Sequence, residues 1–346
     1  MRKSTAAFVA GAVFLAGTAG VIRFVVLPGQ ERVQSSTNTT MDYAGSASFL
    51  DMKAVAAGNL EQAFAKDVPF TATEQYKTVA INGGEALMSD ATTISGPAAA
   101  ALGNQQALWS VDRTSLQPAA IPAGSGALAH TGLAIGFPVH PAAADAQWWD
   151  SATQTAGTAK YVTTEEHGGR STYLFTVDIN GAVKDPGLLS KFPASVPSTL
   201  LTALASTMPT SQQQLLASAM PAGTPVVTVP LTYTVDTKES MWIDTVTGET
   251  IDATQTQAVT AQMTTPAGAV PLVPVLTVDL KMPPAAVSAA ADKASSDAGK
   301  ILWLGTATPI ALAILALALL AAAIWTIRKG AEGGKRETAR EAATEK

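Results

Sequence analysis

Four carboxylate side chains near the middle of the chain are the residues whose chemistry is easiest to name. Asp145 and Asp150 flank a pair of tryptophans, and Glu165 and Glu166 follow in the next polar segment. Two carboxyl groups held about 5–10 Å apart can hydrolyse a glycosidic bond, one as the acid and the other as nucleophile or base. No pattern in the sequence brings any two of them together, so a weak hydrolase or transferase is the third of three functional hypotheses.

Other catalytic patterns are missing from the sequence. His130, His140 and His167 stand alone in turns or in glycine- and proline-rich loops, and no HExxH, GxSxG or phosphate-binding loop occurs. The 346 residues include no cysteine, which excludes thiol catalysis and cysteine–zinc sites. We therefore expect a non-enzymatic protein with no catalytic residue, no metal site and no cofactor.

Two adjacent tryptophans, Trp148 and Trp149, form the most prominent aromatic cluster. They precede Asp150 in a segment rich in alanine, glycine and proline, which predicts a loop. Aromatic rings beside a carboxylate can stack on sugars or lie at lipid headgroups. The alternative is that one tryptophan fills the core beside Phe137 while the other covers it.

Two short helical segments could line an apolar ligand cavity. Residues 198–208 end before Pro209, and residues 210–220 end before Pro221. Their apolar faces consist of Leu200, Leu201, Leu204, Met208, Leu215, Leu216, Ala219 and Met220. These faces either cover one side of a sheet or wall a cavity. In the second case the predicted ligand-binding residues are Trp148, Trp149, Leu200, Leu204, Met208, Leu215, Leu216 and Met220.

Both ends of the chain carry apolar segments. Residues 301–327 form an uncharged run longer than the roughly 20 residues that span a bilayer, with a tryptophan near each end. Residues 1–27 begin with Arg2 and Lys3 and are either a second anchor or a signal peptide cleaved after Ala19. Because basic residues also follow the last span, we expect two helices in the cytoplasmic (inner) membrane with both termini in the cytoplasm.

The segment between the anchors reads mostly as β-strand. Residues 70–81 and 85–94 predict a hairpin around two glycines, and residues 159–179 predict another around HGGR, whereas residues 52–67 predict a helix. The predicted fold class is α+β, with a mostly antiparallel β-rich extracytoplasmic domain and helices on one face. The predicted division is an anchor at 1–27, this domain at 28–284, a stalk and transmembrane helix at 285–329 and a cytoplasmic tail at 330–346.

One short phrase occurs twice, which suggests two similar β units. In each copy a strand carries a tryptophan, and a turn built on an aspartate follows. The predicted structural residues of the two hairpins are Trp109, Asp112 and Thr114 in the first copy and Trp242, Asp244, Thr247 and Gly248 in the second. Ser115 stands where a turn glycine is expected in the first copy.

Several features follow one another over nearly the whole chain: an N-terminal span ending in arginine, VDRTS, GLAIGFPVHPAAADAQWWDSATQTAGTAKYVTTEEHGGRSTYLF, MWIDTVTGE and a C-terminal span. In this order they resemble the actinobacterial membrane proteins of the PorA porin family, long described as a domain of unknown function. Ser115 and the alanine-rich residues 141–146 depart from the family pattern. The resemblance implies a role in building the cell envelope, including lipoglycan maturation.

Three functions are therefore carried forward. The first is a non-enzymatic protein whose extracytoplasmic domain binds or scaffolds envelope lipids or lipoglycans. Its partners would be membrane lipid, a lipoglycan or glycolipid, and envelope-biosynthesis proteins. The second is a pore-forming subunit, although the spans are uniformly apolar and lack a polar face. The third is the weak hydrolase or transferase described above.

The net charge of −5 and the absence of basic clusters outside the membrane flanks argue against nucleic acid as a partner.

Overall fold

The computed structural model describes residues 3–51, 54, 63–204, 210–219, 226–265 and 268–344. They belong to two compact units, one made of Met1–Arg32 with Ser296–Lys346 and the other of Val33–Ser295. Strands hold 46% of the residues and helices 30%, which agrees with the predicted mostly antiparallel α+β class.

The helices and strands are numbered in chain order. The helices are α1 (Lys3–Val21), α2 (Leu27–Gln30), α3 (Ala99–Leu102), α4 (Pro186–Leu189), α5 (Ser198–Leu204), α6 (Thr210–Ala219), α7 (Pro284–Leu302) and α8 (Thr308–Thr344). The strands are β1 (Asn38–Leu50), β2 (Phe64–Asn82), β3 (Glu85–Ser95), β4 (Gln105–Asp112), β5 (Ala146–Asp150), β6 (Thr155–His167), β7 (Arg170–Ala182), β8 (Ser195–Pro197), β9 (Thr228–Asp244), β10 (Thr250–Thr265) and β11 (Gly268–Lys281).

The apolar ends of the chain form the predicted long helices. A π-helical turn joins α1 to α2, and another joins α7 to α8, so each helix continues without a break. Ala10–Gln30 and Pro284–Lys329 are each long and apolar enough to cross a membrane. Gly11 of α1 lies so close to α8 that a β-carbon there would sit 3.0 Å from Leu319 Cδ1, which is the close small-residue packing typical of membrane helices.

The strands of the second unit form one antiparallel sheet in the order β4-β3-β2-β1-β11-β10-β9-β7-β6-β5, with β8 added beside β9. Both predicted hairpins are confirmed. The register pairs Asn82 with Glu85 across one turn and His167 with Arg170 across the other. The glycines of the second turn have φ angles of 59° and 77°, which fit a tight hairpin reversal.

Two local predictions differ from the structure. The helix predicted for residues 52–67 is wrong at its end, because Phe64 and Ala65 pair with Leu50 and Phe49 and therefore begin β2. Residues 52–53 and 55–62 of that prediction lie outside the described residues. The tryptophan pair lies in a strand rather than in a loop, because β5 pairs with β6 along its whole length.

The sheet curls until its first and last strands meet. The segment between β4 and β5 bridges them, since the Leu128 amide donates to the Leu108 carbonyl and the Leu133 amide donates to the Gln147 carbonyl, both at 2.8 Å. The rings of Trp109 in β4 and Trp149 in β5 lie 6.5 Å apart, edge to face. The buried faces of the strands therefore surround a common interior.

The repeated phrase builds the same turn twice. Asp112 Oδ1 accepts hydrogen bonds from the amides two and three residues ahead at 3.0 and 2.8 Å, and from the Ser115 hydroxyl at 2.9 Å. Asp244 Oδ1 accepts the equivalent three bonds at 3.0, 2.8 and 3.0 Å, the last from the Thr247 hydroxyl. Both aspartates thus work as turn formers, and Arg170 also pairs with buried Asp244 at 2.8 Å.

The match between the two turns differs by one residue from the sequence prediction. Ser115 is the counterpart of Thr247 rather than of the glycine, so Thr114 corresponds to Val246. The residue in the left-handed conformation is Leu116, with φ of 57°, where the second turn has Gly248 with φ of 73°. The second turn requires glycine because a β-carbon at position 248 would collide with the carbonyl oxygens of Phe137 and Pro138.

Replacing this glycine should destabilise the second unit. We expect Gly248→Ala to lower the free energy of unfolding by about 2 kcal/mol or more, since it adds both a left-handed alanine and a steric collision. The measurement is denaturant unfolding of the detergent-solubilised chain followed by tryptophan fluorescence. Gly84→Ala is the matched control, because a β-carbon at Gly84 meets nothing within 4 Å. Equal destabilisation by both variants would contradict this account.

Candidate functional site

Most of the helical residues that were predicted to bind a ligand either lie in the core or are not among the residues that the structure describes. Leu201 and Leu216 are buried with the main apolar cluster, and Leu200 is half-buried beside it. Met208 and Met220 lie outside the described residues, as do the side chains of Leu204, Leu215 and Ala219. Among the described residues, the faces of α5 and α6 therefore cover one side of the sheet.

A small apolar cavity does lie between α5 and the sheet. Its lining includes Leu200 and Leu201 from the helix, Tyr233 from β9 and Leu272 from β11. Its volume is about 30 Å³, which is room for about two or three water molecules. The described residues therefore leave no space there for an acyl chain.

Trp148 and Trp149 project from opposite faces of β5. Trp148 stacks on Phe137 at a centroid distance of 5.7 Å and belongs to the cluster beneath β6, β7 and β9. Trp149 packs with Trp109 and His130 in the cluster beneath β3 and β4. Both rings are half-buried. They line the closure of the sheet and form no continuous aromatic surface.

Of the four carboxylates that could have formed a hydrolase site, three make separate local contacts and the fourth, Glu166, is exposed. Asp150 accepts from the Thr153 amide at 2.7 Å, and Glu165 accepts from Trp242 Nε1 at 2.6 Å. Asp150 pairs with Thr155 at the start of β6, ten residues before Glu165, which is about 33 Å along a strand.

Asp145 accepts from the Tyr161 amide, four residues or about 13 Å from Glu165. Glu166 is exposed on the opposite side of the strand from Glu165. None of the separations along β6 matches the roughly 5–10 Å of a glycosidase pair.

A different set of carboxylates meets inside the curled sheet. Glu74 of β2, Asp90 of β3 and Glu239 of β9 are half-buried, and each occupies an inward position. On β9 the same face carries buried Val235 before Glu239 and buried Met241 after it. The acids therefore lie midway along strands whose inward face is otherwise largely apolar.

Aromatic hydroxyl and indole groups hold these acids in place. The Tyr76 hydroxyl donates to Glu74 Oε1 at 2.8 Å, and the Tyr43 hydroxyl donates to Glu74 Oε2 at 3.3 Å. Trp109 Nε1 donates to Asp90 Oδ2 at 3.3 Å. Hydrogen-bond donors to a carboxylate partly offset the loss of hydration.

Burial nevertheless dominates the ionisation of all three acids. It raises the pKa of Glu239 from 4.5 to about 8, with further contributions from the negative charges of Glu74 and Asp150 and opposition from the Trp148 hydrogen bond. Burial also raises the pKa of Glu74, helped by the charge of Asp90, and raises the pKa of Asp90 against the bond from Trp109. No cation is among the causes of these shifts. The interior thus favours protonated, neutral carboxyl groups.

No sequence pattern distinguished these three acids from surface carboxylates. Glu74 and Asp90 lie on the two strands of one hairpin, whereas Glu239 is distant in the chain, and only the sheet order brings β2 and β9 to one interior. Among the described residues, no group of three histidine, cysteine or acidic side chains has the geometry of a metal site. We interpret the three acids as buried groups whose protonated, neutral form the fold favours.

Comparison with known proteins identifies a matching protein family. The sequence model of a family described as Porin PorA matches residues 4–325. No curated protein matches the chain. Among solved structures, it is aligned with a conserved protein of unknown function with a hot dog fold from Alicyclobacillus acidocaldarius. That alignment has 12% identity over 77% of this chain and 85% of the other, with a TM-score of 0.10, which supports no argument.

The buried acids predict that stability falls as the pH rises. A carboxyl group whose pKa is raised in the folded state stabilises the fold fully below its unfolded pKa, and this contribution is lost as the pH rises through the folded pKa. For Glu239 the window runs from 4.5 to about 8. We expect Glu239→Gln to be more stable than the parent at pH 8.5 by roughly 3–5 kcal/mol, with little difference near pH 4.5.

The measurement is denaturant unfolding in detergent at several pH values between these limits. Glu166→Gln is the control, because Glu166 is an exposed carboxylate on β6 and its removal leaves the interior unchanged. If the parent and Glu239→Gln showed the same dependence of stability on pH, the claim that burial raises the pKa of Glu239 would be wrong.

Proposed function

Because the chain belongs to the Porin PorA family and carries two membrane-spanning helices, we propose that it is a non-enzymatic protein of the cell envelope whose β-rich unit binds or scaffolds envelope lipids or lipoglycans. In this proposal both termini lie in the cytoplasm and the residues between the helices lie outside the cytoplasmic membrane. The chain is a membrane protein, and in this proposal its strands lie in water rather than in the bilayer.

The observation that carries the proposal is the polarity of the outward sheet face. The central strands β9 and β10 present outward Thr232, Thr234, Asp236, Lys238, Ser240, Thr254, Thr256, Ala258, Thr260 and Gln262. A transmembrane barrel instead presents an apolar band about 25 Å tall to lipid and a polar lumen. Here the polarity is reversed, since inward Val235, Val259 and Met241 are buried.

Charge at the helix ends supports the orientation. Arg2 and Lys3 precede the first span, and Arg328 and Lys329 end the second. Basic residues near transmembrane ends remain in the cytoplasm, so both tails favour the cytoplasmic side. A domain held by two spans on the other side would stand beside the outer leaflet, where envelope lipids and lipoglycans are available to it.

The small cavity beneath α5 limits how such a ligand would be held. An apolar site of about 30 Å³ accommodates no acyl chain, so the described core favours recognition of the exposed polar part of a lipid or lipoglycan. The membrane itself would hold the acyl chains.

A pore-forming subunit is the second candidate, and the description of the family favours it. Such a pore would have to be built from the helices of several copies, because the strands have a polar exterior. Exposed Phe14, Ile314 and Leu317 make the described helix surfaces apolar, which suits contact with lipid better than contact with water.

The two candidate functions predict different channel conductance but the same membrane topology. We expect purified chain reconstituted in planar bilayers to give no channel conductance above that of empty bilayers, and native mass spectrometry to detect retained envelope lipid or lipoglycan. Reproducible ion channels that depend on protein concentration would overturn the proposal in favour of a pore.

The lack of native cysteine allows a direct test of orientation. We expect a membrane-impermeant maleimide to label Thr93→Cys, an exposed position on β3, in intact cells, and to leave Thr338→Cys unlabelled until the cells are broken. The second variant is the matched control because it lies in the C-terminal tail. The opposite labelling pattern would place the β-rich unit in the cytoplasm.

A further inference from the structure

The outward face of the sheet carries a trough whose shape follows from the strand register. One row across four strands consists of Asn180 on β7, Asp236 on β9, Ala258 on β10 and Thr277 on β11. Ala258 is the smallest side chain of this row, so it forms a floor between larger neighbours. Asp236, Ala258 and Thr277 are half-buried.

A second row runs beside the first. It places Lys238 opposite Thr256, and Thr256 opposite Asp279. Thr260 lies two residues from Ala258 on the same face and closes the other side of the trough. The volume of this open trough is about 570 Å³, within the range of roughly 300–1,000 Å³ that is typical of ligand sites.

The polar groups of the trough have unused hydrogen-bonding capacity. Within the described residues, the side chains of Asp236, Lys238, Thr256, Thr277 and Asp279 make no hydrogen bond or ion pair with the protein. Elsewhere on the outward face polar side chains do pair, as Thr73 does with Asp42 at 2.7 Å. The trough therefore presents separate hydroxyl, carboxylate and ammonium groups to whatever occupies it.

We propose that this trough binds a polyhydroxylated, saccharide-type ligand laid across β7, β9, β10 and β11. Threonine hydroxyls both donate and accept, the carboxylates accept from ligand hydroxyls, and Lys238 donates to ring or hydroxyl oxygens. Three strand spacings make the row about 14 Å wide, which suits an extended chain of rings. This inference names a ligand class for the proposed envelope function and rests on it for biological context.

Other ligand classes fit the trough less well. Two carboxylates and one ammonium group give its named residues a net negative charge, which disfavours phosphate and nucleic acid. The surface of its inner wall is more polar than apolar, which disfavours acyl chains. The described acidic residues form no metal-binding group of three.

The test uses the full chain in detergent and an array of immobilised neutral and amine-bearing oligosaccharides. We expect binding to at least one member of the array. Ala258→Leu fills the floor of the trough and should abolish that binding. Thr256→Val and Thr277→Val each remove one hydroxyl without changing the side-chain shape, and each should weaken binding about threefold to tenfold. Thr93→Val, on the outward face of β3, is the matched control and should leave binding unchanged.

A second arm separates the two sources of such a ligand. Phosphatidylcholine vesicles with and without a diglycosyl lipid are compared with the free oligosaccharide as competitor. Binding to both the glycolipid vesicles and the free sugar, lost in Ala258→Leu, supports a trough that reads the glycan from either source. Binding to no array member, or equal binding by Ala258→Leu and the parent, overturns the proposal.

The experiments distinguish failure of the trough proposal from failure of the proposed envelope function. If Ala258→Leu retains envelope lipid in native mass spectrometry but the parent binds no oligosaccharide, the trough proposal fails and the envelope function stands. If the parent forms channels yet its sugar binding is lost in Ala258→Leu, the envelope function fails while the trough remains a glycan site.

Discussion

Closure of the sheet at β4 and β5 is the constraint on which the other features of this unit depend. These strands are the two ends of the strand order, and the segment between them hydrogen-bonds to both. Once the ends meet, inward side chains lose most of their contact with water and outward side chains remain at the surface. The apolar core, the buried acids and the polar exterior are therefore three results of one closure.

The interior that closure creates is not uniformly apolar. Three carboxyl groups occupy it, and tyrosine and tryptophan donors hold them without a neutralising cation among the causes of their pKa shifts. A hydrophobic side chain at each position would avoid the cost of burying an ionisable group. The stability of the unit should therefore depend on pH, because the neutral form of these acids is the one that the closed sheet favours.

Local chemistry made some of the structure predictable from the sequence. Gly168 and Gly169 define a hairpin reversal by conformation alone, and the long apolar ends define helices by length and composition. The tryptophan pair was misread as a loop because β5 is short and its pairing with β6 is not encoded in its own composition. Leu116 was missed because a leucine gives no sign that it will adopt a left-handed conformation.

The acids and the trough could not be found in the same way. Glu74, Asp90 and Glu239 alternate with other residues as carboxylates on a half-exposed strand do. Glu239 reaches the hairpin that carries Glu74 and Asp90 only through the order of distant strands in the sheet. The row from Asn180 to Thr277 likewise exists only in the paired register of four strands. Contacts of this kind follow from topology, which residue types alone do not specify.

The strict alternation of β9 also bears on how faithfully the chain folds. Residues 235–241 alternate between the core and the solvent, with Val235 and Met241 inside and Asp236 and Lys238 outside. A slip of one residue against β10 would exchange these two sets, burying two charges while exposing the apolar side chains. Mispaired registers are thus disfavoured wherever an apolar side chain would become exposed or a charged one buried, so the alternation favours the correct register as the long sheet assembles.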